Sequence, residues 1–358
     1  MHARSDACKS MRSSDPGATL TPMTQSSQHP RDTERRAAGI PDAPRHEAID
    51  LGHITLRALV WGPVDGPVAV CLHGFPDSAW TWRLLAPELV AAGYRVVAPF
   101  TRGYSPSDIP LDKDFHVAAL AYDARAIHRA VGAGRGAVLI GHDWGALTVN
   151  ALAHRPDNPY SAVVAMSVPP IPAIRRAVAD GPGAVRLLAR QATMSWYIGF
   201  NQLPWLPERS LGWLIPLLWR RWRLRRAGDP RPDYDVDIDH ALAALPTRAH
   251  RSAALGYYRA VRRPRTDARY ADLRDDWLGE PRCRTLYLHG ADDGCMQSRF
   301  TDHVRDVLPD GSATAVVAGA GHFLHLDRPE EVSRRIVMFL ARTRGGGQGG
   351  TEPASFVD

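Results

Sequence analysis

The residues best suited to covalent chemistry lie in Val138-Leu139-Ile140-Gly141-His142-Asp143-Trp144-Gly145-Ala146. An apolar run there meets small residues and then a helical pattern that continues through Ala153. Strand, tight turn and helix in that order put Asp143 on a sharp corner with its side chain forced outward. Gly141 and Gly145 let strand and helix cross closely, and the positive end of a helix beginning near Trp144 keeps the carboxylate ionised. Asp at such a position can also be a plain N-cap, so its company decides. Val68 to Leu72 leads into His73-Gly74-Phe75-Pro76, a turn whose backbone N–H at Phe75 can join that of Trp144 in an oxyanion hole. Thr285 to Leu288 leads into Gly290-Ala291-Asp292-Asp293, and Thr314 to Val317 into Gly319-Ala320-Gly321-His322. A nucleophile, an acid and a base thus follow one another at strand ends, where open parallel sheets gather their ligands.

The elements that must position them are legible as an alternation. Short apolar runs at Val68–Leu72, Tyr94–Ala98, Ala137–Ile140, Ala162–Val168, Thr285–Leu288 and Thr314–Val317 are separated by helical patterns, which predicts a mostly parallel sheet. Leu120, Ala124, Ile127 and Val131 recur at helical spacing and face the sheet, while Ile49 to Trp61 reads as a leading antiparallel hairpin. The alternation stops after Pro169-Pro170 and resumes near Pro281, leaving a helical, tryptophan-rich insertion. The expected organisation is an N-terminal tail over 1–45, a core over 46–168 and 281–342, a helical cap over 169–280, and a glycine-rich C-terminal tail over 343–358. Met11 and Met23 are alternative starts.

Taken together, His73-Gly74-Phe75-Pro76, the Gly141 to Gly145 turn, Asp293 and His322 resemble the α/β-hydrolase fold, specifically the soluble-type epoxide hydrolases, over about residues 46 to 342. The resemblance implies a doubly wound, mostly parallel sheet with an inserted helical lid. It implies ring-opening tyrosines in two cap segments, Ser195-Trp196-Tyr197-Ile198-Gly199-Phe200-Asn201-Gln202 and Gly256-Tyr257-Tyr258-Arg259, at Tyr197 and Tyr258. Tyr257 rivals Tyr258, but neighbours on a helix point about 100° apart, so one of them faces the pocket. His73, Pro76 and Trp144 are expected against the substrate. Spacing from Gly290 favours Asp293 over Asp292, and direct succession to Gly321 favours His322 over His325. No carboxylate follows the strand ending at Val168, so the acid does not come from there. The family's Arg-Gly-Tyr-Gly turn is altered to Arg102-Gly103-Tyr104-Ser105.

Aspartate in place of serine narrows the reaction. No Gly-x-Ser-x-Gly occurs, and a carboxylate attacking an ester would give a mixed anhydride. Attack on an sp³ carbon bearing a strained or good leaving group gives a stable alkyl ester instead, which His322-activated water, with His322 oriented by Asp293, can then hydrolyse. The substrate expected is a small lipophilic epoxide. The alternatives are haloalkane dehalogenase chemistry on the same Asp143, with Trp144 and a cap tryptophan holding halide, and a hydrolase-fold binding protein without turnover. An intact Asp143, Asp293 and His322 argues against the last. No metal or organic cofactor is expected, because every reacting group is a side chain or backbone N–H.

Composition is consistent with a globular enzyme. The 358 residues are 44% hydrophobic and 23% charged with a net charge of +6, which excludes wholesale disorder and does not point to nucleic acid. No run approaches the roughly 20 apolar residues of a membrane span, and Met1 to Arg45 lacks the apolar core of a signal peptide, so a cytoplasmic protein is expected. Cys8, Cys71, Cys283 and Cys295 form no CxxC pair and read as reduced thiols. The run Arg220 to Arg226 beside Leu211–Trp219 suits either an amphipathic helix on a membrane surface or a cap helix. The cap reading is preferred, with Trp213, Leu214, Leu217 and Leu218 packed inward and the arginines solvated, although Pro216 counts against a continuous helix.

Overall fold

A computed structural model describes residues 43–223, 234–262 and 266–345. The tail before residue 43 with Cys8, Met11 and Met23, the basic residues Arg225 and Arg226, and the chain after 345 lie outside it.

Eight strands form one sheet in the order β1-β2-β4-β3-β5-β6-β7-β8: β1 (Arg45–Asp50), β2 (Thr55–Trp61), β3 (Val68–Leu72), β4 (Arg95–Pro99), β5 (Val138–His142), β6 (Ala162–Met166), β7 (Thr285–Gly290) and β8 (Ala313–Val317). β1 pairs antiparallel with β2, and β2 with β4, while every pairing from β4 to β8 is parallel. β3, β5, β6 and β7 are buried at every residue, as expected for near-continuous apolar runs covered on both faces. The hairpin begins at Arg45, four residues ahead of the Ile49 expected, because Arg45 to Ala48 are held by backbone pairing to β2 rather than by an apolar pattern.

The core helices are α1 (Ala86–Ala91), α2 (Val117–Ala130) and α3 (Trp144–His154), with α10 (Leu324–Asp327) and α11 (Pro329–Gly345) after β8. The predicted stripe Leu120, Ala124 and Ile127 is buried on α2, whose first turn is capped by the His116 ring accepting from Ala118 N at 3.2 Å. Between β6 and β7 the described residues contain no strand, only α4 (Ile171–Ala179), α5 (Ala184–Met194), α6 (Trp196–Phe200), α7 (Leu206–Trp222), α8 (Tyr234–Ala243), α9 (Arg248–Arg262) and short 3-10 turns.

Four further features depart from the sequence reading. β6 ends at Met166 rather than Val168, since Ser167 takes φ 68 and leaves the strand. α7 runs unbroken through Pro216. Along it Leu214 and Leu218 are buried as expected, but Trp213 is 53% exposed. Of the basic run, Arg220 and Arg221 are exposed. Trp222 is buried, and Arg223 is ion-paired with Asp327 rather than solvated. No described helix is long and apolar enough to cross a membrane.

The turn after β5 depends on missing side chains. A Cβ on Gly141 would lie 2.2 Å from Gly145 O, and one on Gly145 would lie 2.0 Å from Leu72 O. α3 therefore crosses β3 and β5 at a distance only glycine permits. A Gly145→Ala variant is expected to lose about 2 kcal/mol or more of stability, read as a lower urea midpoint. A midpoint equal to that of the parent would show that the crossing is not close.

Candidate active site

Asp143 joins β5 to α3 with φ 55 and ψ −112, a strained conformation for a non-glycine residue, and its side chain is turned off the sheet. Its Oδ1 accepts the Phe75 N–H at 2.8 Å. Its Oδ2 lies 3.6 Å from His322 Nε2, an atom with no hydrogen-bond partner in the structure. Trp144 is the first residue of α3, so its N–H belongs to the helix start, where no carbonyl of the helix itself can accept it.

His322 Nδ1 donates to Asp293 Oδ2 at 2.9 Å, and Asp293 Oδ1 accepts from Cys295 N at 2.6 Å and Met296 N at 2.9 Å. Asp292 is exposed. The backbone of His322 is gripped from three sides. Its N–H donates to Trp222 O at 2.8 Å, and its carbonyl accepts His142 Nε2–H at 2.9 Å and Ser167 Oγ–H at 2.6 Å. His325 instead bonds Thr81 Oγ1 at 2.6 Å.

Burial alone would lower the His322 pKa, but the carboxylates of Asp293 and Asp143 outweigh it and raise the imidazole to about 10. Burial opposes the ionised Asp293, yet the adjacent His322 and the N–H groups it accepts hold its carboxyl below the usual range. Burial depresses His142, whose ring is 4.8 Å from that of His322, to about 3, and His73 to about 4, so both stay neutral. Both ring nitrogens of His73 are engaged, Nδ1 with Gly74 O at 2.9 Å and Nε2 with Thr101 N at 3.1 Å. The Pro76 carbonyl accepts the Trp219 indole N–H at 2.7 Å.

Tyr197 and Tyr258 arrive from α6 and α9 with ring centroids 5.6 Å apart. Tyr258 stands 5.1 Å from the Trp144 ring and 5.3 Å from the Phe75 ring, and its buried hydroxyl has no hydrogen-bond partner among the described residues. The Tyr257 ring also packs 5.6 Å from that of Trp144, but its hydroxyl is engaged, donating to Arg102 O at 2.8 Å. That contact separates two tyrosines that the sequence left as rivals. Burial pushes the Tyr197 and Tyr258 phenols well above their usual range, with the Asp143 charge adding to the rise, so both keep their protons. A phenol that keeps its proton is a hydrogen-bond donor.

Several neighbours had no sequence signal. Cys295 Sγ lies 3.5 Å from Tyr197 Oη, Trp222 packs 5.0 Å from the His322 ring, and Gln191 on α5 donates to Cys295 O at 2.8 Å. Each is about 100 residues from what it touches, beyond any local pattern. Among the described residues, two buried groups bring ligand-type atoms within 4.8 Å of one another. One is Asp293, Cys295 and His322, whose first and last members already bond each other, and the other is Asp77, His142 and His325.

A family model described as α/β hydrolase fold matches residues 67–192. Epoxide hydrolase A of Mycobacterium tuberculosis is 31% identical over 327 residues, spanning 83% of this chain and 98% of that protein. An AB hydrolase superfamily protein of Bacillus subtilis is 34% identical over 309 residues, spanning 84% and 99%. The crystal structure of epoxide hydrolase A from Mycobacterium thermoresistibile is similar with a TM-score of 0.64 at 26% identity, covering 83% of this chain and 98% of that one.

The raised His322 pKa has a definite sign in stability. Because the folded value of about 10 exceeds the ordinary 6.5, its contribution is complete below about pH 6.5 and is lost as the pH climbs toward 10. Asp143→Asn removes one of the two carboxylates, so the His322 ring signal followed by NMR is expected to titrate at lower pH. The alkaline fall in urea stability is expected to become shallower as well. An unchanged titration would show that Asp143 does not act on His322.

Proposed function

As the chain belongs to the epoxide hydrolases of the α/β-hydrolase fold, we propose that it converts a small lipophilic epoxide and water to a vicinal diol through an ester on Asp143. The helical segment between β6 and β7 is the cap in this reading, closing over the ends of the parallel strands. Asp143 Oδ2 attacks one ring carbon, the carbon–oxygen bond breaks, and the leaving oxygen takes a proton shared from the Tyr197 and Tyr258 phenols. Esterification removes the Asp143 charge that helps raise the imidazole, so His322 gives up its proton to solvent and then accepts one from water as the hydroxide adds to the ester carbonyl. The N–H groups of Phe75 and Trp144 stabilise the resulting oxyanion. Collapse expels the second diol oxygen, which takes the proton from His322, and the Asp143 carboxyl so formed gives its proton to the tyrosinate left by ring opening, restoring carboxylate and phenol. His73 and Pro76 act on the substrate through the shape of their turn, their polar atoms being engaged with Thr101, Gly74 and Trp219.

The observation that carries this reading is a pair of buried, protonated phenols beside a carboxylate that is itself 3.6 Å from the imidazole. An epoxide leaves as an alkoxide and needs O–H donors, whereas a halide is held by N–H donors and needs no tyrosine. The Phe75 position offers an apolar ring and a backbone N–H already bonded to Asp143.

Product analysis with the purified full-length protein tests it, using a lipophilic terminal epoxide and, separately, a 1-bromoalkane. Diol is expected from the parent and not from Asp143→Ala. Bromide release without diol would move the assignment to a dehalogenase, and diol from Asp143→Ala would remove the nucleophile. Tyr197→Phe and Tyr258→Phe should each slow ring opening by about 100-fold in single-turnover kinetics, with parental rates counting against the donor assignment. His322→Gln is expected to stall after the first step, so its intact mass should rise by that of one epoxide. A single turnover of the parent in isotopically heavy water should place solvent oxygen in the Asp143 carboxylate, which direct attack of water on the epoxide would not do.

A further inference from the structure

We propose that the outer face of α5, α6 and α7 docks peripherally on the surface of an anionic phospholipid bilayer. The inference stands on exposed groups away from the reacting residues and does not depend on the assignment of substrate. Half of the fourteen exposed large hydrophobic residues fall between Gly181 and Trp222, a small part of the described chain, and the others are scattered. Trp205 and Trp213 are each 53% exposed, with Ile198, Leu203 and Leu206 beside them in the chain. Val185 and Leu188 are exposed on α5. The Phe200 and Trp213 rings are 6.1 Å apart, so the outer sides of α6 and α7 are continuous. Leu206, Arg209, Trp213 and Arg220 follow helical spacing on one side of α7. Leu211, Leu214, Ile215, Leu218, Trp219 and Trp222 are buried on the other. A helix on a water-facing surface carries polar residues on its outer side, and this one carries tryptophan, leucine and arginine.

The charge pattern selects the partner. The exposed charged residues of this stretch are Arg186, Arg190, Arg209, Arg220 and Arg221. Its single acid, Glu208, is buried and paired with Arg259 at 2.7 Å. Asp180, just ahead of it, pairs with His303 at 3.3 Å. The Arg209 guanidinium lies 5.2 Å over the Trp205 ring, joining cation and aromatic in one patch. Tryptophan prefers the headgroup level, where its ring is apolar and its N–H stays wet, and arginine is drawn to anionic headgroups. A second copy fits less well, since a two-fold interface would lay the same arginines against one another. With no described helix able to cross a bilayer, the contact is one of surface docking.

Flotation of the full-length protein with vesicles tests this, comparing phosphatidylcholine alone with phosphatidylcholine containing about one-third phosphatidylglycerol. The protein is expected to float with the anionic vesicles at low salt, less so as salt approaches and passes physiological strength, and to stay behind with the neutral ones. Trp205→Ser combined with Trp213→Ser should lower partitioning at least tenfold, as should Arg220→Glu combined with Arg221→Glu. Leu111→Ser, at a residue 95% exposed elsewhere, should leave it unchanged. Thermal unfolding and turnover of a soluble substrate are expected to match the parent in every variant. Failure to float on anionic vesicles would overturn the proposal, as would equal flotation on both compositions or binding retained by the tryptophan double variant. A concentration-dependent dimer in light scattering, abolished by that variant and without vesicle binding, would assign the face to a second copy instead.

Discussion

A protonatable imidazole held between two buried carboxylates is the constraint on which the candidate site turns. Charges taken out of water destabilise a fold unless each lone pair and proton finds a partner. Asp293 meets that condition with two backbone N–H groups on one oxygen and His322 on the other. Asp143 meets it with the Phe75 N–H on Oδ1. These partners come from the loops after β3, β5, β7 and β8, so the parallel register of the central strands must be right before any of the pairs can form. Neutral histidines nearby follow from the same logic. His142 is buried among these charges and stays uncharged, serving as a donor to the His322 carbonyl.

The helical insertion is tied to this network by contacts with the strand-end loops. Trp219 donates to Pro76 O beside the Phe75 turn, Trp222 O accepts the His322 N–H, and Gln191 reaches both Cys295 O and the Gln297 N–H on the loop of Asp293. Arg223 and Arg83 extend the stitching to Asp327 and Asp237. The proposed proton donors and the proposed triad therefore share a framework. Movement of α6 or α7 relative to the sheet would disturb His322 as well as Tyr197.

A second framework lies under the turn after β4. Arg102 is buried and bonds Asp123 through two nitrogens at 2.7 and 2.6 Å while also donating to Asp114 O at 2.7 Å. Tyr257 closes over it by donating to Arg102 O. The altered fourth residue of the turn, Ser105, gives its N–H to Ala244 O in the insertion at 2.8 Å. Tyr257 is thus held by the core.

What the sequence determined by itself was local or periodic. The turn around Asp143 was readable because only glycine tolerates the approach of α3 to β3, and the strands because residues buried on both faces must be apolar. Asp293 and His322 were readable because each closes a short glycine-containing turn after such a strand. The tertiary structure decided what depends on direction and distance. Tyr257 and Tyr258 are adjacent in the chain and separated only by what each hydroxyl meets. Ser167 meets His322 from 155 residues away and Trp222 from about 100, and Cys295 meets Tyr197 from 98. On α7 the sequence reading placed Trp213 inward with Leu214 and Leu218, whereas packing leaves it 53% exposed, since only packing shows which face is covered.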